Sequence, residues 1–157
     1  MKLNTENGTI IILNGTSSSR KTSILKALQD IMDEPYMEAG IDKFIWVLPD
    51  RYLDRPLWDD VLVEDTWWQG CIERFSKLPA YLIGIRCPLE VLEEREKSRR
   101  NRTLGQAHLQ FDIVLGRGIY DLEVDTSILT AEECAKSIKE RITSEEPPSA
   151  LKILARI

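Results

Sequence analysis

The sequence predicts a three-layer α/β fold, with a parallel central sheet between two layers of helices. Three short runs have the composition of strands: residues 9–13, 79–87 and 121–126. A helical pattern follows each run, so strands and helices alternate along the chain. This alternation is typical of α/β proteins that contain a parallel sheet.

The first strand is followed by a loop of the phosphate-binding type. Residues 9–13 form a β-branched run that suits a strand buried on both faces, and Asn14-Gly15 ends it. A helix pattern then begins, with apolar residues at spacings of three and four. A strand, a Gly-led polar loop and a helix that opens with Lys-Thr are the context of a P-loop. The predicted phosphate-binding residues are Gly15, Thr16, Ser17, Ser18, Ser19, Arg20, Lys21 and Thr22.

Backbone N–H groups in such a loop converge on an anion, and the next helix presents its positive end to the same point. Lys21 would reach the outer phosphates, and the Thr22 hydroxyl would bind Mg²⁺. Arg20 departs from the motif G-x-x-x-x-G-K-[ST], which has glycine at this position. Where that glycine adopts a conformation closed to a Cβ, arginine costs about 1–3 kcal/mol. The extra cation could add a phosphate contact or block the site. The alternative to a P-loop is a Ser-rich strand-to-helix turn that binds no ligand.

Composition and charge favour a small-molecule partner. The 157 residues carry a net charge of −5, so the chain has no global basic footprint for nucleic acid. Three scattered cysteines and a single histidine give neither a disulfide framework nor a Cys/His zinc site, and they are typical of a reducing compartment. The N-terminus lacks the apolar run of a signal peptide, and no segment is long and apolar enough to span a membrane. We expect a cytoplasmic protein without a nucleic-acid or membrane partner.

Carboxylates after the loop are candidates for catalysis and metal binding. A possible second strand at 36–40 runs into Asp42, which would then lie on the ligand side of the sheet as a candidate base. Asp42 could equally be only the N-cap of the next helix. Asp59 and Asp60 precede a short apolar run and could hold Mg²⁺ through water. An acidic pair is more often a solvated turn or cap, so this signal is weak.

The second half of the chain has clear boundary residues. A helix is predicted from Asp65 to about Lys77, and Pro88 suits the first turn of the helix after the second strand. Residues 106–115 have helical character. Thr130 to Glu133 forms a capping box for a helix that runs to about Ile142. The remaining residues read as a mobile linker and a last short apolar segment.

A basic run follows the second strand. Five cations lie within eight residues: Arg95, Lys97, Arg99, Arg100 and Arg102. The run could be a solvated helix face. Together with the P-loop, it favours a lid whose guanidinium groups stabilise the charge of a transferred phosphate.

Taken together, these motifs resemble the chloramphenicol phosphotransferase-like family over about residues 8–142. The resemblance rests on the P-loop, Gly40-Ile41-Asp42, the strand-Pro-helix with its arginines, and Tyr120-Asp121-Leu122-Glu123-Val124-Asp125-Thr126. It implies a P-loop kinase fold that uses ATP and Mg²⁺ to phosphorylate a hydroxyl of a small molecule, such as a chloramphenicol-type antibiotic or a related metabolite. It further implies that Asp42 is the base and that Arg99 and Arg102 contact the nucleotide. We therefore divide the chain into a kinase-like domain over 1–142, which includes a lid at about 95–115, and a C-terminal tail over 143–157.

Arg20 and a missing central block separate this chain from the family pattern. Family members are longer between the segment matching Asp42 and the segment matching Asp59-Asp60. Loss of a helix and part of an interior strand would expose apolar surface and unpaired backbone groups unless the sheet closes up or a second copy fills the gap. The sequence therefore leaves two functions open: an O-phosphotransferase, and a non-catalytic nucleotide- or anion-binding protein on the same scaffold. A homo-oligomer is also possible.

Overall fold

The computed structural model describes residues 8–40, 65–98, 105–116 and 118–157. Three strands and six helices are formed within these ranges. The strands are β1 (Ile10–Asn14), β2 (Ala80–Arg86) and β3 (Leu122–Asp125). The helices are α1 (Lys21–Ile31), α2 (Asp65–Phe75), α3 (Leu89–Lys97), α4 (Gln106–Leu115), α5 (Ala131–Thr143) and α6 (Ala150–Leu154).

The three strands form one parallel sheet in the order β1-β2-β3. Both strand pairings are parallel, with Ile10 opposite Ala80 and Ile83 opposite Leu122. All three strands therefore run in the same direction. The predicted α/β fold with a parallel sheet is confirmed. Because the carboxyl ends of parallel strands share one edge, the loop after β1 lies at the same edge as the ends of β2 and β3.

Helices pack on both faces of the sheet because the side chains of β2 alternate between two cores. Tyr81, Ile83 and Ile85 contribute to a core with α1 and α5. Ala80 and Leu82 contribute to a second core with α2 and α6. The arrangement has the three layers that the sequence predicts. Both faces of β2 are covered, whereas every residue of β1 is only half-buried. The prediction that β1 is buried on both faces is confirmed in part. Its side chains pack against both cores, Ile11 and Leu13 on one face and Ile10 and Ile12 on the other, but each residue is only half-buried.

Local signals placed most of the other elements correctly. Helix α4 has the predicted bounds. Both hydrogen bonds of the predicted capping box between Thr130 and Glu133 are formed. The possible strand at 36–40 is wrong, because this segment has no regular secondary structure. Its Met37 side chain is 95% exposed, so the segment does not present the buried apolar face of a strand. The predicted site residues Asp42, Asp59, Asp60, Arg99 and Arg102 lie outside the described residues.

The C-terminal segment is bonded to the rest of the fold. The Arg141 side chain donates to the backbone carbonyl of Glu146 (2.7 Å), and Asp121 accepts hydrogen bonds from the N–H groups of Ser149 (2.7 Å) and Ala150 (3.0 Å). Leu151 of α6 is buried in the second core. Where the sequence suggested a mobile linker, the structure shows an anchored segment. The division of the chain at residue 143 stays a prediction.

No helix within the described ranges combines the length and apolarity that crossing a membrane requires.

Candidate active site

The candidate site is the loop of residues 15–20, which connects β1 to α1. Its first residue, Gly15, approaches β2 so closely that a side chain would not fit. A Cβ on Gly15 would lie 2.8 Å from Ser19 Oγ and 2.9 Å from the backbone oxygen of Ile85. Glycine at this position therefore lets the loop begin directly against the carboxyl end of β2.

Three hydroxyl groups inside this loop are buried without a hydrogen-bond partner. Thr16, Ser18 and Ser19 are 0%, 5% and 1% exposed, and the hydroxyl oxygen of each has no partner among the described residues. Leaving a buried hydroxyl unsatisfied costs about 1–3 kcal/mol, so three neighbouring cases require an explanation. A ligand that accepts hydrogen bonds would satisfy all three.

The start of α1 adds a positive potential to the same place. Arg20 provides no side-chain cap for the helix, and no acidic residue lies in its first turn. The N-terminal N–H groups of a helix and its dipole favour an anion. The combination of buried hydroxyls without a partner among the described residues, a helix N-terminus and a close glycine turn fits a phosphate group.

Lys21 lies across the loop. Its Nζ donates to the backbone carbonyls of Gly15 (2.6 Å) and Thr16 (2.7 Å), and the residue is only half-buried. An ammonium group therefore sits within hydrogen-bonding distance of the loop, where an anion would also be held. Thr22 is an exposed residue in the first turn of α1.

Arg20 adopts the left-handed conformation that the glycine of the motif would occupy without strain. Its φ is 66° and its ψ is 21°, and Ser18 also has a positive φ of 61°. The left-handed region costs a residue with a Cβ about 1–2 kcal/mol. The Arg20 side chain is exposed and forms no hydrogen bond or ion pair with another residue in the described part of the chain. Its charge acts on Cys134 of α5, where burial raises the pKa of the thiol and Arg20 partly opposes that rise.

We expect Arg20→Gly to raise the free energy of unfolding by about 0.5–1 kcal/mol. Relief of the left-handed strain should exceed the larger entropy that glycine has in the unfolded chain. Urea denaturation of the two proteins measures the difference. The control is Lys26→Gly, at an exposed position in the middle of α1, which should lower the same free energy by about 1 kcal/mol. A loss of stability in Arg20→Gly would show that the guanidinium has a structural role that outweighs the strain.

A second helix, α4, lies against the loop. The backbone N–H of Ser17 donates to Gln110 Oε1 at 2.9 Å, and the Ser17 hydroxyl lies 3.5 Å from Gln106 Oε1. Neither glutamine was predicted as a site residue. The contacts join residues about 90 positions apart, and no local sequence pattern marks such a pair.

Arg95 and Glu96, in the described part of the basic run, have structural partners. Arg95 donates to Thr126 at the end of β3, to the hydroxyl oxygen at 3.0 Å and to the carbonyl oxygen at 2.6 Å. Glu96, within the same run, is 2% exposed and accepts from the N–H groups of Gly105 (2.8 Å) and Ala107 (3.1 Å). These bonds connect α3 to β3 and to α4. The predicted lid roles of Arg99 and Arg102 concern residues outside the described ranges and stay predictions.

Metal ligands are not gathered in the parts of the chain that the structure describes. No group of three or more His, Cys, Asp or Glu side chains within 8–40, 65–98, 105–116 and 118–157 is arranged to hold a metal ion. The predicted Mg²⁺ ligands Asp59 and Asp60 are not in these ranges, whereas the third predicted ligand, Thr22, is. The metal site therefore stays a prediction.

Comparison with known proteins agrees with the fold. The family model for chloramphenicol phosphotransferase-like protein matches residues 8–57 and 54–143, which together make up most of the chain. The chain belongs to the chloramphenicol phosphotransferase-like family. The predicted family is confirmed, and the family implies a nucleotide as the phosphate donor.

Two curated relatives from Mycobacterium tuberculosis are similar over nearly the whole chain. They are "Putative O-phosphotransferase MT2714" from strain CDC 1551 / Oshkosh and "Putative O-phosphotransferase Rv2636" from strain ATCC 25618 / H37Rv. Each is 25% identical over 199 aligned positions, which cover 95% of this chain and 88% of the relative. The chloramphenicol phosphotransferase-like family and both names support a phosphotransferase in general.

The alignment also agrees with the missing central block. The 199 aligned positions include 95% of 157 residues, or about 149, so about 50 positions are occupied by the relative alone. The family model matches in two segments that meet at residues 54–57. This meeting point lies in the interval where the sequence departs from the chloramphenicol phosphotransferase-like pattern.

Proposed function

We propose that the protein is an ATP-dependent O-phosphotransferase that phosphorylates a hydroxyl group of a small molecule, with MgATP bound at the loop 15–20. The buried hydroxyls of Thr16, Ser18 and Ser19, which have no partner among the described residues, carry this proposal. They lie between a strand and the uncapped N-terminus of α1, where a phosphate would supply the missing acceptors. A chloramphenicol-type antibiotic or a related metabolite is the acceptor class that the family name suggests.

The proposed reaction assigns the following roles to predicted site residues. Lys21 and the loop hydroxyls hold the phosphates, and Thr22 with Asp59 or Asp60 holds Mg²⁺, which neutralises phosphate charge when bound. The acceptor oxygen forms a new bond to the terminal phosphorus while the bond from that phosphorus to the bridging oxygen breaks. The proton of the acceptor hydroxyl passes to the Asp42 carboxylate, and ADP is the leaving group. Arg99 and Arg102 stabilise the charge on the transferred group. Positioning and electrostatics provide most of the rate in such a mechanism.

The first test is thermal unfolding with and without MgATP. A ligand at 100 times its dissociation constant stabilises the folded state by about 2.7 kcal/mol, which gives a clear rise in Tm for a domain of this size. We expect a rise with MgATP and MgADP and little change with Mg²⁺ alone. Arg20→Gly is measured beside the unmodified protein. A shift confined to Arg20→Gly would mean that the arginine blocks the loop, and no shift in either protein would overturn the proposed function.

A non-catalytic nucleotide- or anion-binding protein is the second candidate. Two observations favour it: Lys21 Nζ is already bonded to two loop carbonyls, and about 50 aligned positions of the relatives have no counterpart here. Such a protein would show the same shift in Tm but would transfer no phosphate. A direct assay of ATP consumption with hydroxyl acceptors separates the two candidates.

A further inference from the structure

Helix α4 contacts the loop 15–20 through Gln110. The carboxamide oxygen of this residue accepts a hydrogen bond from the backbone N–H of Ser17 at 2.9 Å. Ser17 is 7% exposed, so its N–H has little access to water and depends on this acceptor. Gln106, one turn earlier on α4, places its carboxamide oxygen 3.5 Å from the Ser17 hydroxyl. The helix therefore approaches the loop with two polar side chains on one face.

Both ends of α4 are fixed to the parts of the fold that surround the loop. At its N-terminus, the buried carboxylate of Glu96 accepts from the N–H groups of Gly105 and Ala107. Near its C-terminus, the carbonyl of Val114 accepts from Asn14 Nδ2 at 2.9 Å. Asn14 is the last residue of β1 and directly precedes the loop. Gln110 is thus held on a helix whose position is set by α3 and by β1.

The loop needs such support because its backbone is strained. Ser18 and Arg20 both have positive φ values, and conformations of this kind persist only where the surroundings fix them. The polar groups of the loop also differ in whether the protein provides a hydrogen-bond partner. The Ser17 N–H has a protein acceptor, whereas the hydroxyls of Thr16, Ser18 and Ser19 have none among the described residues. Gln110 therefore satisfies a group next to the buried hydroxyls and does not itself provide a partner for those hydroxyls.

We propose that Gln110 is a positioning residue that holds the loop 15–20 in its phosphate-binding conformation before the nucleotide arrives. The inference rests on the proposed function for the identity of the ligand. Its structural part, the dependence of the loop on Gln110, can be measured in the ligand-free protein.

The first experiment is amide hydrogen exchange at Ser17 in the ligand-free protein. Gln110→Ala removes the acceptor, so the Ser17 amide should exchange about three to ten times faster, the size expected from one neutral hydrogen bond. Gln110→Glu keeps an acceptor of the same length and should preserve the slow exchange. The control is Leu109→Ala, at a position on α4 that is 71% exposed, which should leave Ser17 unchanged. Equal exchange in the unmodified protein and Gln110→Ala would overturn the inference.

The second experiment is calorimetric titration of the same proteins with MgATP and with pyrophosphate. Gln110→Ala should bind both about three to ten times more weakly, because binding must then also order the loop. At low salt, Gln110→Glu should bind both ligands more weakly than the unmodified protein does. The difference in affinity between the two proteins should become smaller as salt is added, since the added negative charge is screened.

The outcomes distinguish the two proposals. Normal binding by Gln110→Ala would overturn the positioning role while leaving the proposed function intact, and tighter binding would show instead that Gln110 competes with phosphate. Failure of the unmodified protein to bind either ligand would overturn the proposed function and the phosphate-specific part of the inference. The Ser17 exchange data would then report only a structural contact.

Discussion

Lys21→Ala should lower the rate of phosphoryl transfer by about 100- to 1000-fold, the loss typical when one preorganised group that stabilises transition-state charge is removed. Lys21 Nζ is bonded to the carbonyls of Gly15 and Thr16, so the cation is held at the loop and not in free solvent. The matched control is Lys26→Ala, which removes an exposed cation from the same helix and should leave the rate unchanged. Steady-state kinetics with MgATP and a hydroxyl acceptor give the comparison.

Asp42→Ala completes this test because it separates catalysis from binding. The proposed base acts on the acceptor, so its loss should lower the rate while the affinity for MgATP stays close to that of the unmodified protein. Lys21→Ala should lower both quantities. An unchanged rate in Asp42→Ala would exclude the base assignment, and a rate in Lys21→Ala equal to that of Lys26→Ala would exclude Lys21 from the reaction.

The parts of the fold that local sequence determines were predictable. Helix α4 lies between Gly105, which has a φ of 90°, and Gly116, and its predicted bounds are exact. The Thr130 capping box was also predictable, because both of its bonds join residues three positions apart. The loop 15–20 was predictable because its motif has a fixed order of strand, glycine and lysine. In each case, the information lies within a few consecutive residues.

The remaining parts of the site depend on contacts between distant positions. Gln110 and Ser17 are separated by 93 residues, and a glutamine in a polar helix gives no sign of a partner. Glu96 has the sequence environment of a solvated charge run, yet its side chain is buried because two N–H groups at the start of α4 need an acceptor. The half-buried state of β1 was also unpredictable, since its β-branched composition does not show how completely each face is covered.

Asp121→Ala should lower the free energy of unfolding by about 3–5 kcal/mol, the loss expected when one member of a buried charged network is removed. The side chain of Asp121 is fully buried and accepts from the N–H groups of Leu82 (2.8 Å), Ser149 (2.7 Å) and Ala150 (3.0 Å). Arg141 Nη2 lies 3.8 Å from the carboxylate. Replacement by alanine would leave these donors without their acceptor, and each buried unsatisfied group carries its own desolvation cost.

Urea denaturation with two matched variants isolates the role of the Asp121 carboxylate. Asp121→Asn keeps one acceptor oxygen, so its loss of stability should be clearly smaller than that of Asp121→Ala. Glu123→Ala removes a carboxylate two positions away whose ion pair with Arg86 is exposed, and it should change stability by less than about 1 kcal/mol. A similar small loss in Asp121→Ala would mean that the C-terminal segment is held by the packing of Leu151 and not by this carboxylate. The predicted large loss instead makes Asp121 the residue through which the sheet, α5 and the C-terminal segment depend on one another for stability.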